Sequence, residues 1–275
     1  MAVTVAVTVP AAARRHGGPL VRILLSVGVL VVLVVLWQLA TMTWKSPFFP
    51  EPLRIFANIP KVLTVDSAGG STSPFFTDVL ASIGRMLAGY VLGCAWGVAA
   101  GSVLGRWRAA RDYTSPIVEF LRSVPATAVL PIFILLFGLG QGMQIAFIAW
   151  GVSWFVLINT ASGVASIHKT LIDVGRAFRL SPAKQFFGLV LPSAAPKIFA
   201  GLRIGLTAAM ILIVTSEFLG ATNGIGFQLI QTQRRFQLVD MWSWMLVIAI
   251  LGYLLNTVLE LIEARALRWH AGSRR

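Results

Sequence analysis

The sequence predicts an all-α, polytopic membrane protein with six transmembrane helices. Of its 275 residues, 57% are hydrophobic and 12% are charged, a composition that excludes an ordinary soluble domain. Most of the 23 Lys and Arg residues lie outside the apolar runs of the chain, and the net charge is +13. Runs long enough to cross about 30 Å of hydrocarbon occur at residues 20–42, 80–105, 116–139, 143–167, 198–219 and 241–262.

The Lys and Arg residues also predict how the helices are oriented. Basic residues are enriched in cytoplasmic loops, and a cytoplasmic N-terminus places most of them on that side of the membrane. Residues 1–19 and 265–275 are then cytoplasmic tails, residues 43–77 form an extracytoplasmic segment, and residues 78–264 form a five-helix core. The basic charge is explained by this pattern and by attraction to anionic membrane lipid, without nucleic acid.

The first run, residues 20–42, is predicted to be a retained anchor helix. It is longer than the apolar region of a usual signal peptide, and no small-residue cleavage site follows it. In the extracytoplasmic segment, the amphipathic residues 53–63 predict a short helix on the membrane surface. The Gly- and Ser-rich residues 69–74 predict a flexible turn after it.

The second run carries a stripe of glycines that recurs every four residues. Small residues at this spacing let a neighbouring helix backbone approach closely, so the stripe predicts tight helix packing. Its members are Gly89, Gly93, Gly97, Gly101 and Gly105.

The third run contains two prolines, Pro125 and Pro131, which predict a kinked helix. In a bilayer, the backbone groups that proline frees are tolerated only beside protein or a water-filled path. Polar side chains near the first proline offer an anion transient hydrogen bonds. The candidate lining of a translocation path is therefore Arg122, Ser123, Pro125 and Thr127.

A basic helix-turn-helix, residues 168–192, lies between the fourth and fifth runs. Thr170 followed by Asp173 predicts a capping box at the start of its first helix. Ser181 followed by Pro182 predicts the start of its second helix. Apolar side chains on both helices predict a docking site for a cytoplasmic partner. A plain connecting loop is the alternative, and the membrane flanks argue against a DNA-reading motif.

Charged side chains within the runs are costly unless they are paired or solvated. Arg85 and Glu217 fall at one depth in the predicted topology, and Glu119 and Arg203 fall at another. We therefore predict two ion pairs, Arg85 with Glu217 and Glu119 with Arg203.

The sequence contains no motif for catalysis or cofactor binding. It lacks the G-x-x-x-x-G-K-[S/T] phosphate loop and the H-E-x-x-H zinc motif. Its single cysteine, Cys94, and its three dispersed histidines form no metal cluster. We predict that the chain is not an enzyme and holds neither cofactor nor metal, and that energy for any transport comes from a partner.

The helix-turn-helix resembles the EAA loop of bacterial ABC-importer permeases. Asp173-Val174-Gly175 stands for Glu-Ala-Ala, Arg179 for the glycine and Leu189 for the isoleucine, while Leu191-Pro192 matches the Leu-Pro of that loop. Residues 121–131, 199–206 and 216–226 resemble the nitrate, sulfonate, taurine and bicarbonate branch of these permeases. With arginine in the glycine position, either the turn needs no left-handed residue or its geometry differs.

The resemblance implies the type-I ABC importer (MetI-like) permease fold in the bacterial inner membrane. It implies three kinds of protein partner: a second copy of the chain, two cytoplasmic ABC ATPase subunits that bind ATP and Mg²⁺, and an extracytoplasmic solute-binding protein. The implied substrate is a small oxyanion or sulfonate. A pyrimidine or thiamine precursor is the alternative substrate, and an ion-coupled secondary carrier is the alternative class of protein.

Overall fold

The computed structural model describes residues 19–44, 46–65 and 73–268, which form helices and the turns between them. Most of the two predicted tails and most of the predicted flexible turn at residues 69–74 lie outside this range. The chain divides into two compact units, one up to Arg54 and one from Ile55 onward.

The first unit consists mainly of α1, Pro19–Trp44. This helix is apolar on all sides and most of its described side chains are exposed, as expected for a helix surrounded by lipid. The side chain of Gln38 forms hydrogen bonds with the segment that follows α1. It donates to the Glu51 carboxylate at 3.5 Å and accepts from the backbone N–H of Leu53 at 3.3 Å.

The second unit is a helical bundle. Its helices are α2, Pro52–Thr64; α3, Leu80–Arg106; α4, Arg108–Ser123; α5, Ala126–Phe137; α6, Gln141–Ala165; α7, Lys169–Ala177; α8, Pro182–Gln185; α9, Leu191–Gly220; α10, Ile225–Arg234; and α11, Leu238–Ala266. The unit begins within α2. A π-helical turn precedes α3 at Phe75–Val79, and another precedes α9 at Phe186–Val190.

Within the described residues, five stretches are long and apolar enough to cross a membrane: Val27–Trp44, Phe75–Arg106, Gln141–Ala165, Pro182–Gly220 and Leu238–Ala266. The remaining predicted span, residues 116–139, is not the single kinked helix that we predicted. Two helices, α4 and α5, meet there at an angle of 92°. The helix ends before Pro125, because a residue that precedes proline is driven out of helical geometry, and Val124 is extended.

The glycine stripe of α3 lies against the backbone of α6. A Cβ atom added at any of the five glycines would come within 2.5 to 2.7 Å of an α6 atom, for example 2.5 Å from the Leu157 carbonyl oxygen at Gly101. Such distances are shorter than van der Waals contact, so only glycine permits this approach. The main apolar core lies between α3, α5, α6 and α9, around Phe147 and Ile148.

The amphipathic helix of the segment after α1 is present as α2, but its apolar face is covered by protein. Ile55 and Val62 are buried, and Val62 packs with Trp244 of α11. On the same helix, the Asn58 amide donates to Asp240 at 2.6 Å and to Ser243 at 3.1 Å. The predicted helix therefore packs on the bundle, where its polar residues find partners on α11. Its position on the membrane surface stays a prediction.

Candidate functional site

The helix-turn-helix of residues 168–192, called the hairpin below, is built from α7, α8 and the π-helical turn that leads into α9. The predicted capping box is wrong. His168 occupies the N-cap position, its ring nitrogen lies 2.9 Å from the Thr170 hydroxyl, and Asp173 instead forms an ion pair with Arg176 at 3.3 Å. The second helix starts as predicted, with the Ser181 hydroxyl accepting from the Lys184 N–H at 3.4 Å.

The turn of the hairpin is left-handed at Arg179, where φ is +50°. The Leu180 N–H donates to the Gly175 carbonyl at 3.0 Å, and the Arg179 N–H donates to the Arg176 carbonyl at 2.9 Å. This pair of bonds is the Schellman arrangement that closes many helices, usually around glycine. Neither alternative that we drew from the sequence applies, because the turn does need a left-handed residue and arginine adopts that conformation.

The interior of the hairpin is closely packed. Gly175 is buried, and a Cβ there would lie 2.8 Å from the Leu189 side chain. The buried Gln185 amide donates to the Ile172 carbonyl at 3.1 Å, which ties the two short helices together. Val190 packs with residues near the ends of α6 and α9, while Leu191 and Pro192 begin α9.

The outer face of the hairpin is both apolar and charged. Phe178, the C-cap residue of α7, is 77% exposed and Val174 is 44% exposed. Their spacing of four places them on the same side of the hairpin. Asp173 and Arg179 are also exposed. Neighbouring exposed apolar side chains beside charged ones favour a docking surface on this face of the hairpin.

A cavity of about 450 Å³ lies at the break between α4 and α5, and we call it the aromatic chamber. Three of the four predicted path residues line it, Arg122, Ser123 and Pro125, whereas Thr127 does not. The opposite walls come from α6 and α9 and include Trp150 and Trp154. Sequence reasoning missed these two tryptophans, although their spacing of four along an apolar run places them on one helix face.

A second cavity, of about 250 Å³, lies between α4 and α6, and we call it the polar chamber. It shares Arg122 and Ile158 with the aromatic chamber. Its polar lining consists of Arg111, Thr114, Ser115, Glu119, Arg122 and Ser162. The guanidinium-bearing Arg122 therefore belongs to both chambers.

The predicted pair of Arg85 and Glu217 is present and buried, with Nη2 and Oε1 3.4 Å apart. Glu217 also accepts from the Ser82 hydroxyl at 2.6 Å and from the Gly226 N–H at 2.8 Å. Arg85 donates to the Gln144 amide oxygen at 2.6 Å. These bonds join α3, α6, α9 and the start of α10.

The turn between α9 and α10 completes this network. The buried carboxylate of Asp78, which the sequence did not single out, accepts from the Gly224 N–H at 2.7 Å. Gly224 has φ of +124°, and a Cβ there would contact the Glu217 carboxylate. Glycine is therefore required at this position for both conformation and space.

The predicted pair of Glu119 and Arg203 is wrong. Arg203 binds two carboxylates of α11, Glu260 at 3.6 Å and Glu263 at 2.6 Å. Glu119 lines the polar chamber together with Arg111 and Arg122. Depth in the membrane did not identify the partner, because α9 packs beside α11 along this part of its length.

The chain resembles known transport proteins over most of its length. It is 32% identical to the taurine transport system permease protein TauC of Escherichia coli (strain K12) over 253 residues, which is 90% of each chain. It is 27% identical to a putative aliphatic sulfonates transport permease protein, SsuC, of Bacillus subtilis (strain 168), covering 86% of this chain and 84% of that protein. It is 30% identical to the nitrate import permease protein NrtB of Synechococcus elongatus, covering 71% of each.

The fold also matches a solved structure, an inward-facing form of the MetNI methionine ABC transporter. The TM-score is 0.59 at 21% identity, over 69% of this chain and 94% of that chain. The architecture is therefore that of a MetI-like ABC permease. Residues 89–268 match the sequence model of the binding-protein-dependent transport system inner membrane component, and the chain belongs to that family.

Members of this family are the membrane components of ABC importers, which work with ATPase and solute-binding partners. The chain is accordingly a permease subunit in the inner membrane, and its family members are transporters and not themselves catalysts.

Proposed function

We propose that two copies of this chain form a permease that imports a small oxyanion or sulfonate. The observation that carries this proposal is the position of Arg122, at a broken membrane helix and in the lining of two adjoining cavities. Broken helices that line cavities mark substrate sites in other transporters. The positive charge of Arg122 attracts an anion, while Glu119 in the lining of the polar chamber opposes tight binding, as a path requires.

The hairpin is the docking element for the ATPase subunits, which would bind ATP and Mg²⁺. Its rigid interior transmits movement, and the exposed Phe178 and Val174 provide an apolar contact. Rigid elements with two discrete positions are what carry such coupling between distant sites. The residues of this docking element are Asp173, Val174, Gly175, Arg179, Leu189, Leu191 and Pro192.

Both termini are cytoplasmic in this proposal. The hairpin and the Arg106–Arg111 region carry dense positive charge, which is typical of the cytoplasmic side. That charge also attracts anionic lipid. One bundle offers half of a central path, so a second copy supplies the other half.

The substrate class is supported by the relatives that carry taurine, aliphatic sulfonates and nitrate. It is tested by growth of a strain that lacks this chain on nitrate, taurine, ethanesulfonate or sulfate as the sole nitrogen or sulfur source. We expect a defect on at least one of the first three, restored by the wild-type gene and by Arg108→Gln but not by Arg122→Gln. Arg108 lies on the same helix and outside both chambers.

Normal growth on all four sources, with a defect only when a vitamin precursor is limiting, would reject the anion and favour the pyrimidine precursor.

A further inference from the structure

The aromatic chamber is asymmetric. Its charged group, Arg122, comes from the end of α4, where the helix breaks. The neighbouring Ser123 also lines the chamber, but its hydroxyl donates to the Glu119 carbonyl at 2.6 Å. The remaining walls are aromatic and aliphatic, from α6 and α9. A volume of about 450 Å³ lies within the range of small-molecule binding sites, about 300–1,000 Å³.

The aromatic wall is ordered by contacts between rings. The Trp150 and Trp154 rings are 6.1 Å apart in an edge-to-face arrangement, and Trp150 also lies 5.9 Å from the Phe133 ring. Such pairs favour fixed ring positions. The wall therefore keeps its shape and offers a preformed apolar surface.

One polar atom of this wall has no partner. The Trp154 indole Nε1 is buried and forms no hydrogen bond in the described part of the chain. This atom is also closed off from the cavity, although the Trp154 ring lines it. The ring therefore presents carbon and not its N–H to a bound molecule, which adds to the apolar character of the wall.

An inorganic oxyanion does not match this arrangement. Nitrate fills a small part of the chamber, so it cannot satisfy Arg122 and also displace water from the tryptophan wall. An anion with a hydrocarbon body does both, because its head binds the guanidinium while its methylenes cover the apolar surface. Each buried methylene contributes about 0.8 kcal/mol, which is about a fourfold gain in affinity.

We propose that the aromatic chamber is a binding site within the permease for an organic sulfonate, with the sulfonate at Arg122 and the hydrocarbon against Trp150 and Trp154. This inference rests on the proposed function, because it assumes that the solute crosses the membrane through this chamber. It adds that the permease itself discriminates among anions, in addition to the solute-binding protein.

The test measures equilibrium binding to the purified permease with its ATPases in lipid nanodiscs, without the solute-binding protein. The probes are ethanesulfonate, butanesulfonate and hexanesulfonate, with nitrate and sulfate as inorganic anions. We expect affinity to rise from ethanesulfonate to hexanesulfonate by up to about fourfold per methylene, and no saturable binding of nitrate or sulfate.

Variants separate the two ends of the site. Arg122→Gln should weaken all three sulfonates about equally, by at least about tenfold, whereas Arg108→Gln should not. Trp154→Ala should flatten the dependence on chain length, and Trp96→Ala, an exposed tryptophan of α3, should not. Trp154→Phe keeps the apolar wall and removes only the N–H, so it should retain the chain-length dependence. Each variant must elute as the intact complex.

Equal binding of nitrate and hexanesulfonate, or no dependence on chain length in the wild type, would overturn the inference. So would the absence of saturable sulfonate binding. These outcomes leave the proposed function standing if the growth defect of the deletion strain on an anion is restored by the wild-type gene. If the deletion strain shows no growth defect on any of the anions, the proposed function is rejected, whatever the binding measurements give.

Discussion

At the scale of residues, the buried pair of Arg85 and Glu217 organises the meeting point of four helices. Each side chain has two further hydrogen-bonding partners or more, so both charges are compensated away from water. Removing one member of a buried pair leaves an uncompensated charge and typically costs about 3–5 kcal/mol.

The first prediction concerns this pair. Glu217→Gln and Arg85→Gln should each lower the thermal midpoint of the detergent-solubilised permease strongly, and the double variant should lose less than the two single losses combined. Arg108→Gln and Asp112→Asn, at an exposed pair 4.0 Å apart, serve as controls and should change stability by about 1 kcal/mol or less. Strictly additive losses at Arg85 and Glu217 would show that the pair is not coupled.

The second prediction concerns the left-handed Arg179. Glycine adopts a positive φ without the steric cost that an arginine bears there, so Arg179→Gly should raise the stability of the permease alone by up to about 1 kcal/mol. Arg176→Gly, three residues earlier in the same hairpin, should lower it by about 1 kcal/mol because it lies within α7. The measurement is thermal unfolding of both variants. A loss of stability in Arg179→Gly would contradict the conformational cost that we assign to Arg179.

Of the two ion pairs that we predicted from the sequence, one is present and one is not. The Arg85 and Glu217 pair followed from depth, since each has few charged neighbours at that level. Depth did not identify the partner of Arg203, because Glu119, Glu260 and Glu263 are all candidates at the cytoplasmic end of the helices. Only the packing of α9 on α11 selects Glu260 and Glu263. The tryptophans of the aromatic chamber were not identified, because an apolar run gives the same pattern whether its rings face lipid, core or cavity.

At the scale of elements, the contact of α3 with α6 depends on glycines spaced by four. This feature was predictable, because the spacing fixes one helix face regardless of the partner. Pro125 and Pro131 predicted a kink, but not a break into two helices, because hydropathy is the same for a kinked helix and for two helices at 92°. The sequence signal that could have shown the break is the strongly amphipathic, charged character of residues 108–123, which differs from the apolar α5.

The third prediction concerns that contact. Gly101→Ala should destabilise the permease, because the added Cβ would lie 2.5 Å from the Leu157 carbonyl oxygen and force α3 away from α6. Gly84→Ala on the same helix has no atom within 4 Å of the added Cβ and should be neutral or stabilising by up to about 1 kcal/mol. Thermal midpoints of the two variants should therefore shift in opposite directions or differ clearly. Equal shifts would mean that the stripe is not an interface.

At the scale of the whole molecule, the proposed orientation places the turn after α9 and the hairpin on opposite sides of the membrane. The fourth prediction tests this in a Cys94→Ala background, with exposed residues chosen from the structure. Thr222→Cys should react with an impermeant thiol reagent added to intact cells, and Ala183→Cys should react only after the membrane is opened. Labelling of Ala183→Cys in intact cells would contradict the proposed orientation and place the hairpin outside.

The central claim is that this permease is driven by ATPase subunits docked on the hairpin. The most direct measurement combines ATPase co-purification with anion uptake for Phe178→Asp, which places a charge at the most exposed large apolar side chain of the hairpin. We expect the variant to be present in the membrane in the wild-type amount, without bound ATPase and without uptake, because a buried carboxylate opposes docking. Phe236→Asp, an equally exposed phenylalanine remote from the hairpin, should retain both. Unchanged co-purification and uptake in Phe178→Asp would contradict the claim.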